Sequence, residues 1–226
     1  MPGPEAARKA EIAPDREDQI TAVRLWLYAV AALVLAMIVV GGATRLTDSG
    51  LSITEWQPIL GVIPPLTEAD WHEAFAKYQQ IPQYQLVNKG MSLDEFKFIY
   101  WWEWAHRFLG RFIGVAFALP FLWFWARRQL PKGLAPKLLG VLALGAIQGG
   151  VGWFMVMSGL VDRVDVSPYR LALHLIIALV ILAWLVWLAL DLKPAASSTR
   201  RSSVSPGLKH LAAGLVLLVL LQSLLG

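Results

Sequence analysis

A glutamate and two histidines are the residues of this chain whose types and spacing could do chemistry within apolar surroundings. Glu103 precedes His106 by three residues, so in a helix the two side chains lie on one face. That face, roughly 100° wide, also contains Arg107, Gly110 and Gly114. His106 follows Tyr100 by six residues, and His174 follows Pro168 by six. At 1.5 Å per residue, each histidine lies about 9 Å into its helix. Two parallel helices of one bundle would hold both imidazoles at a similar depth.

Paired imidazoles at one depth suit a flat cofactor whose iron is bound from both faces, because imidazole is a common axial ligand of haem. Several glycines would leave room for a macrocycle: Gly110, Gly114, Gly145, Gly149 and Gly152. Spacing alone leaves two other interpretations open. The histidines could hydrogen-bond to neighbouring helices, with the glycines as packing sites, or they could bind a metal ion. A zinc site is disfavoured because the chain has neither an HExxH motif nor a cysteine.

Glu103 is costly to bury in a membrane unless it is paired or protonated. One interpretation is an ordinary helical ion pair with Arg107, four residues further on. The other is an acid, a base or a charge stabiliser beside a reacting cofactor. The two interpretations are compatible, and both predict that Glu103 lies inside the bundle.

Arg107 and four further polar residues are candidates for binding the cofactor. Arg111 lies deeper in the same helix as Glu103 and could bind an anionic group. Arg45 and Arg170, near the outer ends of their helices, could meet carboxylates of a ligand or extend to the membrane interface. Gln148, in the middle of an apolar run, makes either an interhelical hydrogen bond or a ligand contact.

The composition places these residues in a membrane protein. Hydrophobic residues make up 57% of the 226 positions and charged residues only 16%, whereas soluble domains average about 45–50% and about 25%. The mean hydropathy is +0.54. A soluble fold is excluded. The absence of cysteine also excludes disulfides and thiolate metal sites.

Apolar runs predict an all-α membrane protein, a four-helix transmembrane bundle plus a fifth transmembrane helix that looks truncated. The runs cover residues 25–43, 112–126, 138–160, 171–190 and 211–225. We therefore expect an N-terminal tail at 1–21, a haem-binding bundle at 22–192, a Ser-, Pro- and Arg-rich linker at 193–207 and a partial helix at 208–226. A long loop at 44–99 interrupts the bundle.

The charge distribution predicts the orientation. Residues 44–99 contain four basic and seven acidic residues. The segment before the first apolar run contains Arg8, Lys9, Arg16 and Arg24, and the only charged residues of the connections at residues 127–137 and 193–209 are basic. The positive-inside rule places these three segments, including the N-terminus, in the cytoplasm and the histidine pair toward the outer side. The chain lacks an Arg- and Ser-rich, acid-poor leader, which favours a bacterial cytoplasmic (inner) membrane over a mitochondrial one.

Local signals predict three helix starts. Thr67 precedes Glu68 and Asp70, with aromatic residues following at helical spacing, which indicates a short amphipathic helix in the long loop. Ser92 and Glu95 form a capping box before the second transmembrane helix. Ser167 and Pro168 are suited to the N-cap and N1 positions of the fourth.

Three stretches, in this order and at this spacing, resemble haem A synthase, the membrane enzyme that converts haem O to haem A. They are Gly41-Gly-Ala-Thr-Arg45-Leu-Thr-Asp-Ser-Gly50-Leu-Ser with the following Trp56-Gln-Pro58, then Glu103-Trp-Ala-His106-Arg107 with Gly110-Arg111, and Gln148-Gly-Gly-Val-Gly-Trp153 with the later His174. The resemblance covers about residues 22 to 192. It implies oxidation of the C8 methyl of haem O to a formyl group by successive hydroxylations. His106 and His174 would then be the paired iron ligands and Glu103 the essential acidic residue.

The resemblance also implies partners and a second haem. Haem O would be the substrate, haem A the product, and haem O synthase the upstream donor in the bilayer. The family has two four-helix halves, and a haem b is expected in the second half, which this sequence does not contain. Self-association into a homo-oligomer could supply it. The lack of cysteine resembles the subgroup without a cysteine pair, and nothing in the chain resembles a nucleic-acid-binding module.

Two other functions stay open at this point. The chain could be a bis-histidine b-type electron-transfer protein, or a non-catalytic haem-handling assembly factor. A plain electron carrier needs neither a glutamate beside the ligand nor a long outer loop.

Overall fold

The computed structural model describes residues 4–57, 60–162, 164–192 and 205–225, and it is helical apart from turns and connections. Within these residues seven α-helices follow one another: α1 (Pro4–Leu46), α2 (Glu68–Tyr78), α3 (Pro82–Leu86), α4 (Leu93–Ala126), α5 (Leu134–Asp162), α6 (Pro168–Asp191) and α7 (Pro206–Leu225). A 3-10 turn, Leu60–Val62, lies in the long connection between α1 and α2.

Five of the described helices, α1, α4, α5, α6 and α7, are long and apolar enough to cross a membrane. Helix α1 packs mainly against α4 and α6, and α5 packs against the same two helices from the other side, which closes a four-helix bundle. Helix α7 packs on α6. The predicted fold class, a four-helix transmembrane bundle with a fifth helix, is therefore confirmed, and the chain is a multi-pass membrane protein.

The bundle has two separate hydrophobic cores. The larger one joins α1, α4, α5 and α6 in the half that contains Leu27, Phe121, Leu138 and Leu185. The second core joins the long connection to the N-terminal end of α4, around Tyr78 and Phe96. The level between the two cores is rich in glycine, and it contains both histidines.

Each of the three predicted helix starts is observed. Thr67 caps α2 and Ser92 caps α4, each in a complete capping box, because the N3 carboxylate in turn accepts from the backbone N–H of the capping residue. Ser167 occupies the N-cap of α6 with Pro168 at N1, but the Ser167 side chain makes no capping hydrogen bond. Local hydrogen bonds between side chain and backbone place the starts of α2 and α4, and the fixed φ of Pro168 suits the start of α6.

Other predicted boundaries differ from those in the structure or lie outside the residues that the structure describes. Helix α1 begins at Pro4, well before the start at residue 22 that its apolar run suggests, because charged residues continue the same helix. The 3-10 turn and α3 were not predicted. Residues 193–204 of the expected linker lie outside the described part of the chain.

Close packing between α5 and α6 gives a test of the bundle. A Cβ built on Gly140 would lie 2.7 Å from the ring of Trp184, whereas one on Gly150 would meet no atom within 4 Å. We expect Gly140→Ala to lower the melting temperature of the purified protein by several degrees, because the ring must shift in a packed core. Gly150→Ala, in the same helix, should leave it unchanged or raise it slightly. Equal melting temperatures for the two variants would contradict this packing.

Candidate functional site

The two histidines face each other across the level between the cores. His106 on α4 and His174 on α6 have ring centroids 6.5 Å apart, with 60° between the ring planes. Each ring also lies against a glycine of a helix that carries no histidine at this level. A Cβ on Gly41 of α1 would be 3.2 Å from His106 Nε2, and one on Gly152 of α5 would be 3.1 Å from His174 Cε1. All four bundle helices therefore define the position of the pair.

This spacing fits a metal centre bound by one nitrogen from each ring. A metal–imidazole bond is about 2 Å long, so two rings on opposite sides of one metal have centroids roughly 6 Å apart. The described residues contain no group of three or more His, Cys, Asp or Glu side chains that could bind a bare metal ion. Two imidazoles are, however, sufficient for an iron whose other four ligands come from a porphyrin. The donor set therefore fits haem.

The glycines near the pair have two different roles. A Cβ on Gly114, Gly145 or Gly149 would meet no atom within 4 Å, so these positions border open space that a macrocycle can use. At Gly110, by contrast, a Cβ would lie 3.0 Å from Met37 Cε, so that glycine permits close contact between α4 and α1. The sequence left both roles open for these glycines, and the structure places Gly110 in close helix contact.

The Glu103 carboxylate, one turn before His106, is 2% exposed and is held by three donors. Its Oε2 accepts from the Ser52 hydroxyl and from the Ile53 backbone N–H, each at 2.7 Å. Its Oε1 accepts from Arg107 Nη2 at 2.5 Å, in the i, i+4 pair predicted from the sequence. These donors satisfy a charge that would otherwise be expensive to bury.

Two arginines attach the long connection to α4 through its backbone. Arg107 donates to the carbonyl oxygens of Ile53 at 2.9 Å and Glu55 at 3.1 Å, and Arg111 donates to that of Gln57 at 2.9 Å. Carbonyls two residues apart in an extended segment point to the same side, and helix positions four apart form one stripe. Residues 53–57, which we call the strap, therefore lie along the stripe of Glu103, Arg107 and Arg111.

The remaining candidate residues are dispersed. Gln148 Nε2 donates to the backbone carbonyl of His174 at 2.9 Å, so Gln148 makes the interhelical hydrogen bond and supports the α6 segment that carries the histidine. Arg45 is exposed and pairs with Asp48 at 3.3 Å. Arg170 lies over the ring of Phe154, 4.3 Å from its centroid. Arg45 and Arg170 are not brought to Glu103 by any contact found among the described side chains.

Sequence reasoning missed several residues that shape the site. Ser52 and the N–H of Ile53 hold Glu103 from 50 residues away in the chain, and Gly41 accommodates His106 from a different helix. No periodicity or motif chemistry singles out a serine and a main-chain amide in a loop. Gly41 and Ser52 both lie in the first stretch that resembles haem A synthase, and that resemblance is the one sequence signal that points to them.

One family model and several curated proteins match this chain. The model of the COX15-CtaA family, described as cytochrome oxidase assembly protein, matches residues 24–226. Haem A synthase of Parvibaculum lavamentivorans is 58% identical over 205 residues, which cover 91% of this chain and 58% of the relative. Haem A synthase of Chelativorans sp. is 59% identical, with coverage of 90% and 55%. That of Mesorhizobium japonicum is 54% identical, with coverage of 95% and 58%.

The chain thus spans little more than half the length of these curated relatives. No solved structure matches it.

The attachment of the strap predicts a local change in amide exchange. Arg107→Lys removes the fork that bridges Glu103 to two strap carbonyls, and lysine cannot reproduce that geometry. We expect hydrogen–deuterium exchange of residues 53–57 to accelerate by about 10-fold or more, since a charge-assisted hydrogen bond contributes about 1.5–3 kcal/mol. Arg45→Lys, at an exposed arginine paired only within its own turn, is the matched control. Equal exchange in both variants would show that Arg107 does not hold the strap.

Proposed function

The chain belongs to the COX15-CtaA family of cytochrome oxidase assembly proteins, and on that premise we propose that its bundle is the substrate-binding half of a haem A synthase. It binds haem O between His106 and His174 and acts as an oxidoreductase that converts the C8 methyl group to the formyl group of haem A by successive hydroxylations. The observation that carries this proposal is a buried carboxylate fixed one helical turn from His106, whose imidazole faces that of His174.

The histidine pair would hold the porphyrin iron, which would supply the redox chemistry. The glycine-rich level supports this assignment, since Gly41 and Gly152 admit the imidazole rings while Gly114, Gly145 and Gly149 border open space. The Nδ1 atom of His174 is buried and has no hydrogen-bond partner among the described residues. The alternative of histidines that serve only as interhelical hydrogen-bond donors therefore has less support.

Glu103 would act on the reacting side of the cofactor as an acid, a base or a charge stabiliser. Ser52, Ile53 and Arg107 fix its two oxygens, so its carboxylate is preorganised instead of free to rotate. A bis-histidine electron carrier has no use for such a residue, and this favours an enzyme over a carrier. Arg107 and Arg111 bind strap carbonyls, and their role is to hold the strap in place.

The wider parts of the proposal concern surroundings and partners. The bilayer is a bacterial inner membrane, with the N-terminus in the cytoplasm and the histidine pair toward the outer side. Haem O synthase supplies the substrate, and a haem b is bound by a second half of the protein or by a second copy of the chain.

Replacement of the carboxylate tests the reaction. We expect Glu103→Gln to retain haem, because both histidines remain, and to lose more than 100-fold in conversion of haem O, because the amide cannot accept or stabilise a charge. The measurement is acid-solvent extraction of the purified protein followed by reversed-phase chromatography with absorption spectra of each haem. Glu68→Gln, at an exposed carboxylate in the first turn of α2, should behave like the unaltered protein.

Three extraction results would contradict parts of this proposal. Full conversion by Glu103→Gln would remove Glu103 from the chemistry. Haem B alone in the unaltered protein would favour the electron carrier. A protein without any haem would overturn the assignment of the histidine pair as iron ligands.

The proposed orientation is tested by single-cysteine labelling, for which a chain without cysteine is a ready background. Ala76→Cys lies on the exposed face of α2, and Lys132→Cys lies in the exposed connection between α4 and α5. In intact cells we expect a membrane-impermeant maleimide to label Ala76→Cys and to spare Lys132→Cys until the membrane is permeabilised. The reverse pattern would invert the topology.

A further inference from the structure

A polar cavity of about 310 Å³ lies between the strap and α2. One part of its wall is made by Glu55, Asp70 and Glu73, which are exposed to solvent. Another part is made by Ser52 and Tyr100, which are 2% and 9% exposed. The cavity therefore extends from the protein surface to residues of the interior.

Two lining residues of the cavity donate to Glu103 Oε2, Ser52 through its hydroxyl and Ile53 through its backbone N–H. Of these two groups only the hydroxyl can also accept a hydrogen bond, so it is the group through which a proton can pass. Ser52 lines the cavity, and its Oγ donates to Glu103 Oε2 at 2.7 Å. Glu103 itself is 2% exposed and is not among the cavity-lining residues. The Ser52 hydroxyl thus lies between the carboxylate and the cavity.

The exposed wall of the cavity carries charged side chains that favour hydration of the cavity. Lys77 binds Glu55 at 2.9 Å and Glu73 at 2.8 Å. The hydrogen bond to Glu55, followed in size of effect by the one to Glu73, raises the pKa of Lys77 above its ordinary value. The side chain is therefore an ammonium group at neutral pH. A cavity of this size with charged walls has room and partners for several water molecules. Glu55 also belongs to the strap, which connects this wall to Arg107.

We propose that this cavity is the aqueous route to Glu103, and that the Ser52 hydroxyl is the last link for proton exchange. The inference rests on the proposed function and selects one of the roles named there for Glu103, that of a base which takes up protons during oxidation of a methyl group. The carboxyl group returns a proton to Ser52 Oγ as the Ser52 hydroxyl proton passes to a cavity water. Glu103 is then again a carboxylate, and the added proton is in the water. A route of this kind explains how a carboxylate without direct contact to solvent is used repeatedly.

Radiolytic footprinting in water labelled with ¹⁸O tests whether the cavity contains exchanging water, without any need for haem conversion. We expect Tyr100 to be oxidised several-fold more than Tyr78, which is 0% exposed and does not line the cavity. Ala74→Phe, on the cavity wall, should reduce labelling of Tyr100 at least five-fold. Ala76→Phe, on the exposed face of the same helix, should not. An unlabelled Tyr100, or equal labelling in both variants, would overturn the route.

Ser52 is tested by a pair of variants that differ in the hydroxyl. Ser52→Ala leaves Ile53 and Arg107 on the carboxylate, so we expect haem content and spectrum to be kept while the conversion rate falls at least 10-fold. Ser52→Thr retains a hydroxyl and should restore most of the rate. A Ser52→Ala variant that converts haem O at the original rate would overturn the relay. If the unaltered protein converts no haem O yet labels Tyr100, the proposed function fails and the aqueous route stands.

Discussion

Burial of one carboxylate group constrains much of this structure. A carboxylate that is nearly excluded from solvent must have its oxygens satisfied, or the cost of desolvation exceeds what the fold can supply. Glu103 meets this requirement with one guanidinium from its own helix and two donors from the long connection. Its burial therefore depends on a segment about 50 residues away in sequence. In turn, hydrogen bonds to the carboxylate hold that segment against α4.

The same stripe of α4 extends the attachment beyond the carboxylate. Arg107 and Arg111 bind alternate carbonyls of the strap, so the strap follows the helix through main-chain contacts. Such contacts depend little on the strap side chains, and those are free to serve other purposes. Glu55 does so when it binds Lys77 of α2, and the cavity beside Glu103 is formed in this way.

At the level of the two histidines, the bundle leaves space that side chains fill in the two cores. The bundle packs tightly in two cores and becomes glycine-rich between them, where small residues let two imidazoles approach to 6.5 Å between centroids. Tight packing on both sides of the level fixes the backbone that carries His106 and His174. Stability is provided by the cores, and the level between them remains available for a ligand.

Local and periodic features were determined by the sequence alone. Apolar runs specify the transmembrane helices, since a membrane core demands about 20 apolar residues per span, and capping boxes specify the starts of α2 and α4 through contacts within three residues. Helical spacing likewise specified the pair of Glu103 and Arg107. Only the tertiary structure decided that Ser52 and Ile53 hold the carboxylate, that Gly41 faces His106 and that the strap lies on α4. These contacts join distant segments through main-chain atoms, one serine hydroxyl and a glycine, and such groups leave no periodic or compositional signal in a sequence.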